Sequence, residues 1–296
     1  MLHGNTTNDK GGQIKILVTG ASGQLGQEIV RISGRFPQFS VIGLSRSELD
    51  VTDPVAVKRA IESAGCDFVI NCAAYTAVDA AESNPGQCRS INVDGVRNIV
   101  NSLINTNVRL IHISTDYVFD GEATTPYSES DATNPLSVYG KSKLDSETTA
   151  LTLLPEAMII RTGWLYGAKG RNFYNTILKF AHDDKTINVV NDQKGTPTLV
   201  TDLAEAILNI IGSGKWLPGV YHYSNLGEAT WYEFAKAIVE ESQIDVVMRP
   251  VSTEEYGAEA VRPRYSVLDK AKITKTYGIE IADWRDALRR CIARKI

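Results

Sequence analysis

Ile14-Lys15-Ile16-Leu17-Val18-Thr19 runs straight into Gly20-Ala21-Ser22-Gly23-Gln24-Leu25-Gly26. An apolar run of buried-strand type meets three glycines, and helical spacing follows, with Leu25, Ile29 and Ile32 on one side of Gln24–Ser33. The glycine spacing is GxxGxxG rather than GxGxxG, but the mechanics are shared. Small residues let the backbone pass close to a pyrophosphate, and the helix N-terminus offers free N–H groups and the positive end of its dipole. Three glycines alone are a weak signal; their place between a first strand and a first helix strengthens it.

Outward from this turn the same rhythm repeats. Strands are expected at Val41–Leu44, Phe68–Asn71, Val108–Ser114 and Met158–Arg161. Helices are expected at Pro54–Ser63, over a long stretch ending near Thr106, and at Val138–Leu154. Continuous apolar strands separated by helices imply a parallel sheet covered on both faces. The fold class is therefore α/β, a Rossmann-like doubly wound sheet. After Gly163 the pattern loosens into a smaller mixed α/β substrate-binding domain, with helices at Asn175–His182, Thr201–Ile211, Trp231–Ser242 and near Trp284–Ala293, and strands at Thr186–Val190, Gly219–Tyr223 and near Val246. The expected division gives residues 14–162 plus about 192–221 to the dinucleotide domain, and about 163–191 plus 222–296 to the substrate domain. Residues 1–13 are polar, without the apolar stretch of a secretory signal, and read as a disordered leader.

Composition narrows the function. The 296 residues carry 31 Lys+Arg against 35 Asp+Glu, a net charge of -4, which argues against a nucleic-acid partner bound by phosphate neutralisation. No apolar run approaches the roughly 20 residues of a membrane span. Cys66, Cys72, Cys88 and Cys291 form no CxxC pair, which removes a zinc-ribbon reading and favours a reducing, cytoplasmic setting.

The residue after the second strand normally meets the adenosine ribose. Leu44 is followed by Ser45 and Arg46, with no carboxylate before Glu48. An arginine there suits a 2′-phosphate, so NADPH is expected, with NADH as the alternative. The fourth strand ends in Ser114-Thr115-Asp116, placing hydroxyls at the ligand edge of the sheet. Tyr139 and Lys143, four apart, share a helix face; an ammonium near a phenol is expected to lower its pKa for proton transfer. Twelve tyrosines and 15 lysines give about 0.6 such pairs by chance, and Tyr232 with Lys236 is a second one. Position separates them: Tyr139 follows the Ser114-Thr115 strand end, whereas Tyr232 lies on a late helix and reads as packing, with Lys236 on the surface.

These residues carry a resemblance. TGASGQLG, LDVTD, NCAAYTAVDAAE, STDYVFDG, YGKSKLDSE, RTGWLYG, NDQKGTPT and RP..S occur in order from residue 15 onward. The chain resembles the extended short-chain dehydrogenases/reductases, and within them the dTDP-4-dehydrorhamnose reductase family. The resemblance implies reduction of the C4 ketone of dTDP-4-dehydro-L-rhamnose to dTDP-L-rhamnose. By motif position, Thr115 matches the hydroxyl that helps polarise the ketone, Tyr139 the general acid, and Lys143 the lysine that holds the nicotinamide ribose. Gly20, Gly23, Gln24, Leu25 and Gly26 match the dinucleotide turn. Asp50 and Val51 match the adenine side, and Ala74, Tyr75 and Thr76 the loop after the third strand. Asp116 and Trp164 match substrate contacts, and Arg262 of RP..S a partner for the nucleotide diphosphate.

Departures sharpen the reading. Dehydratase relatives carry a second acid where this chain has Tyr117. Some reductases hold magnesium at a dimer contact; Glu28 matches one acid, but Thr201 stands where another is found, so no metal is expected, and a monomer or a homodimer fits. Two alternatives share the motifs: a non-catalytic regulatory subunit like that of methionine adenosyltransferase, and a reductase or epimerase of another nucleoside-diphosphate deoxysugar. Other residues take plainer expectations. Asp79, Glu82 and Asp94 read as solvated or capping, His112 as a satisfied buried side chain, Cys72 as a small hydrophobe, and Asn92 as a partner of backbone near the site. Trp164 equally suits the seam between the domains.

Overall fold

The computed structural model describes residues 12–183 and 186–293, so all of the polar leader but Gly12 and Gln13 lies outside the described residues. In the first half, β1 (Ile14–Thr19) leads to α1 (Gln24–Ile32), β2 (Phe39–Leu44), α2 (Pro54–Ala64) and β3 (Phe68–Asn71). Then come α3 (Val78–Ser83), α4 (Pro85–Arg89), α5 (Gly95–Leu103), β4 (Arg109–Thr115), α6 (Val138–Leu153) and β5 (Met158–Thr162). The second half holds β6 (Leu165–Tyr166), α7 (Phe173–Asp183), β7 (Thr186–Val190), β8 (Lys194–Gly195), β9 (Thr198–Leu199), α8 (Val200–Gly212) and β10 (Gly219–His222). It closes with β11 (Ala229–Thr230), α9 (Trp231–Glu241), β12 (Val247–Val251), α10 (Thr253–Tyr256), α11 (Ala271–Tyr277) and α12 (Trp284–Ala293).

Six strands form the parallel central sheet in the order β10-β5-β4-β3-β1-β2. The chain runs outward from β1 to β2 and then crosses back to β3, so the order reverses between β1 and β3. A ligand crevice lies outside the carboxyl ends of such strands. Register aligns those ends: Thr19 pairs with Asn71, Asn71 with His112, and Thr115 with Thr162.

Alternation along the buried strands fills both faces. Ile16, Val18, Ile111 and Ile160 pack under α1 and α8 through Leu25, Ile29, Leu203 and Ile207. Leu17, Val69, Leu110 and Ile159 pack under α2 and α5 through Val57, Ile61, Val96 and Val100. A separate core joins Tyr166 of β6 to Tyr174, Phe234, Ile238, Trp284 and Leu288 from α7, α9 and α12.

The long helix expected up to Thr106 is broken. A loop occupies 72–77, and Pro85, which cannot donate to a preceding turn, starts α4 afresh. A π-helical turn at Ser90–Asp94 then adds a residue before α5. The strand expected near Val246 is β12, which pairs in parallel with β7.

Candidate active site

The dinucleotide turn is as tight as its glycines require. Gly20 has φ +65°, and a Cβ there would lie 2.7 Å from the Ala73 nitrogen of the loop after β3. At Gly26 a Cβ would meet the Gly20 carbonyl at 2.5 Å. Gly23 caps α1 without a side-chain bond, so the helix N-terminus keeps its N–H groups for a ligand. Leu25 is buried in the core; Gln24 accepts a bond from Asn172 Nδ2 at 3.0 Å, which ties the turn to the segment leading into α7.

Beyond β2, Ser22, Ser45, Arg46, Ser47 and Asp50 line an open cleft of about 540 Å³. Glu48 is folded back, accepting from Ser45 N at 2.8 Å and Ser45 Oγ at 2.6 Å, so Arg46 is the ionic side chain left facing the cleft with Asp50. Asp50 accepts from Thr52 N and Oγ1, which holds its carboxyl below the usual range. Val51 is buried, and its carbonyl accepts from Asn98 at 3.0 Å. These residues fit a dinucleotide with a phosphorylated ribose: a cradle at the glycines, free helix N–H groups, and a guanidinium among three hydroxyls.

The loop Ala74-Tyr75-Thr76 is fixed from below. Asn92, in the π-helical turn, accepts from Tyr75 N at 2.7 Å and donates to Tyr75 O at 3.2 Å and to Ser142 Oγ at 2.8 Å. This is the backbone role expected of Asn92.

Tyr139 and Lys143 enter on the first turns of α6, whose N-cap Ser137 accepts from Gly140 N at 3.1 Å. The Tyr139 hydroxyl lies within the electrostatic reach of the Thr115 side chain, and its ring meets Tyr117 edge to face at 5.8 Å. Lys143 is fully buried, and its Nζ donates to the Ile113 carbonyl at 2.6 Å. The constellation of Thr115, Tyr139 and Lys143 therefore assembles at the carboxyl end of β4. One electrostatic expectation is corrected. Burial raises the Tyr139 pKa, against the pull of Thr115, rather than a neighbouring ammonium lowering it. Burial also brings the Lys143 ammonium down to about 8. The phenol thus stands as a protonated donor, the state an acid needs.

Beneath Lys143 runs a buried polar chain that the sequence did not announce. Thr19 Oγ1 donates to Asn71 Oδ1 at 2.6 Å, and Ala73 N donates to the same oxygen at 3.2 Å. Asn71 Nδ2 must then face His112 Nδ1, 3.0 Å away. His112 accepts there, so Nε2 carries its hydrogen toward Ser146 Oγ at 2.9 Å, and Ser146 donates to the Lys143 carbonyl at 2.6 Å. Burial lowers the His112 pKa well below the usual range, so the ring stays neutral. It is a satisfied core histidine, not a base. One turn further along α6, Glu147 pairs with Arg161 of β5 at 2.7 Å and accepts from Ser114 at 2.5 Å, all buried. The one available signal was a polar residue interrupting each apolar strand: Asn71, His112, Arg161.

The substrate side departs further from expectation. Asp79 is not simply solvated: it takes Arg262 in a bidentate pair at 2.9 and 2.6 Å. Arg262 also donates to Ala260 O and bonds the Tyr117 side chain, so it is a clasp between α3 and the segment after α10 rather than an uncommitted cation. Glu82 accepts from Val138 N at 2.8 Å, capping α6 from a distance. Asp116 bonds Thr115 and Ser266, and burial pushes its carboxyl up to about 6. Trp164 adopts φ +51°, a costly conformation for an aromatic residue, with one face stacked on Trp231 at 3.4 Å between ring centres. Cys72, its thiol pushed up to about 12 by burial, is inert. Glu28 bonds Arg31 and Thr201, and among the described residues no three His, Cys, Asp or Glu side chains gather as a metal site. Tyr232 packs on the second core, and Lys236 pairs with Glu240 at the surface. No helix among the described residues is long and apolar enough to cross a membrane.

Comparison with known proteins points the same way. The chain is 42% identical over 277 residues to the spore coat polysaccharide biosynthesis protein SpsK of Bacillus subtilis (strain 168), covering 93% of this chain and 95% of that one. It is 39% identical over 285 residues to a dTDP-4-dehydrorhamnose reductase of Aggregatibacter actinomycetemcomitans, covering 93% and 97%. The crystal structure of a dTDP-4-dehydrorhamnose reductase from Bacillus anthracis str. Ames in complex with NADP superposes with a TM-score of 0.91 at 35% identity, covering 95% of this chain and 99% of that one. The family described as RmlD substrate binding domain matches residues 14–296. With these matches and a doubly wound sheet carrying Thr115, Tyr139 and Lys143 at one rim, the chain belongs to the RmlD family of extended short-chain dehydrogenases/reductases.

Proposed function

We propose that this protein reduces the C4 ketone of dTDP-4-dehydro-L-rhamnose to dTDP-L-rhamnose, with Tyr139 as general acid. Bound NADPH supplies the hydride to C4. Thr115 and Tyr139, neighbours at the rim, turn their hydroxyls to the carbonyl oxygen, and Tyr139 delivers its proton there as the alcohol forms. Lys143, anchored on the Ile113 carbonyl, holds the nicotinamide ribose with its remaining donors. The glycine turn takes the pyrophosphate, and Arg46 with Ser22, Ser45 and Ser47 the 2′-phosphate. Asp50 and Val51 meet the adenine side, Ala74, Tyr75 and Thr76 flank the dinucleotide beyond β3, and Asp116 and Trp164 face the sugar nucleotide. Arg262 reaches the diphosphate only by sharing its charge with Asp79. Residues 14–162 with about 192–221 serve the dinucleotide and the rest the sugar nucleotide, a division supported by α8 packing in the first core and β10 joining the sheet. The free thiols of Cys66, Cys72 and Cys88 fit a cytoplasmic enzyme.

The observation that carries this reading is the Thr115–Tyr139 hydroxyl pair standing over a buried, anchored lysine. Loss of NADPH absorbance in the presence of dTDP-4-dehydrorhamnose tests it. Tyr139→Phe should slow turnover by a factor on the order of 10² to 10⁴. Undiminished turnover in that variant removes the mechanism, and no turnover by the unaltered protein restores the non-catalytic alternative.

A further inference from the structure

Among the described residues, two buried side-chain polar atoms lack a hydrogen-bond partner: Oγ1 of Thr162 and the hydroxyl of Tyr166. Tyr166 lies inside the second core against Tyr174 and Phe234. Thr162 is placed differently. It is the last residue of β5, at the rim where the crevice opens, and is 6% exposed. It pairs in register with Thr115 on the neighbouring parallel strand, so both side chains leave the same face of the sheet. The next residue, Gly163, sits so close to Asp116 that a Cβ would lie 2.5 Å from its carboxyl carbon. The Thr162 side chain therefore leaves the sheet beside that of Thr115, next to the turn that passes Asp116, and its hydroxyl bonds nothing. A buried hydroxyl without a partner opposes folding and calls for an explanation, and at a ligand rim that explanation is a ligand atom.

We propose that Thr162 is a specificity-determining residue whose hydroxyl bonds the ring hydroxyl on the carbon next to the reacting carbonyl of the sugar nucleotide. The inference rests on the reading above, in which Thr115 and Tyr139 hold the ketone oxygen. Neighbouring strands lie about 4.8 Å apart, so hydroxyls on Thr115 and Thr162 can span the two adjacent oxygens of a hydroxy-ketone. A site built to bond a substrate hydroxyl rejects the analogue that lacks it, because the protein group is then left buried and unpaired. Thr162 thereby selects sugars oxygenated beside the ketone over their deoxygenated counterparts.

Thr162→Val tests this, since it exchanges the hydroxyl for a methyl of similar shape. In the ligand-free protein no bond is lost, so Tm should hold or rise. KM for dTDP-4-dehydrorhamnose should rise roughly tenfold, the NADPH dissociation constant read by nucleotide fluorescence should not change, and Thr162→Ser should restore KM. The unaltered enzyme should discriminate against a substrate deoxygenated at the neighbouring carbon, and the valine variant should not. Unchanged kinetics in the variant overturn the proposal. So does weaker NADPH binding at constant KM, which would give the hydroxyl to the cofactor, and so does a fall in Tm, which would reveal a structural partner. Failure of the unaltered protein to turn over the sugar nucleotide removes the proposed function itself, whereas normal turnover with an indifferent variant removes this inference alone.

Discussion

Burial pushes the Asp116 carboxyl up to about 6, against hydrogen bonds from Ser266 and Thr115 that favour the ionised form. Its folded pKa exceeds its ordinary value of 3.8, so the fold binds the proton more tightly than the unfolded chain does. The stability this brings is complete below pH 3.8 and is lost as pH climbs through 6. Asp116→Asn, which cannot ionise, should therefore raise unfolding stability at pH 8 by about 3 kcal/mol relative to the unaltered protein and change little at pH 3. Urea unfolding at the two pH values checks this; equal midpoints at pH 8 would show the carboxylate to be fully compensated in the fold. The same desolvation keeps His112 neutral and Tyr139 protonated, so burial, more than neighbouring charge, sets the proton inventory of the rim.

At the scale of elements, two helices do most of the positioning, by different means. α1 must start within contact distance of the turn that feeds it. Gly26→Ala would press a methyl against the Gly20 carbonyl and, at 2.9 Å, against Ala21 Cα, both of them backbone that cannot swing aside. We expect a loss of about 1–3 kcal/mol in stability and at least tenfold weaker NADPH binding as the N–H groups lose their aim. Gly34→Ala, with nothing within 4 Å of the new methyl, is the control for glycine removal. Equal behaviour of the two variants in thermal melts and nucleotide titration would refute a packing role for Gly26. α6 works through polarity instead. Its buried residues are Gly140, Ser142, Lys143, Ser146, Glu147 and Ala150, and they meet His112, Ser114 and Arg161 of the sheet. An apolar periodicity could not disclose such a face; the Tyr139–Lys143 spacing disclosed only the end of it that serves the ligand.

Across the whole molecule, long-range polar bonds tie the core under α1 and α8 to the separate one built on α7, α9 and α12. Asp202 of α8 accepts Arg290 of α12 at 2.8 and 2.6 Å and Asn225 at 2.8 Å, fastening the sheet-side core to the second one. Asn172 bridges to Gln24 of the glycine turn at 3.0 Å. Arg290→Ala leaves Asp202, 8% exposed, with Asn225 alone among these two partners, and should cost about 1–3 kcal/mol. In urea it should lower the midpoint of a single cooperative transition. A midpoint unmoved by the substitution would show that α12 is held by its apolar face alone, through Trp284 and Leu288.

Local chemistry determined much of this protein. The strand–glycine–helix stretch at Ile14–Gly26, the alternation of apolar strands with helices, and the hydroxyl and lysine positions at Thr115, Tyr139 and Lys143 are written in residue type and spacing, because backbone sterics and burial periodicity act over a few residues. The break of the helix before β4, the Asp79–Arg262 clasp, the Asn71–His112–Ser146 chain and the unpartnered Thr162 hydroxyl were decided only by the tertiary structure. Their partners lie tens to nearly two hundred residues apart, and whether a polar side chain is satisfied depends on which strands and helices meet around it, a matter of packing and desolvation that no short stretch of chain encodes.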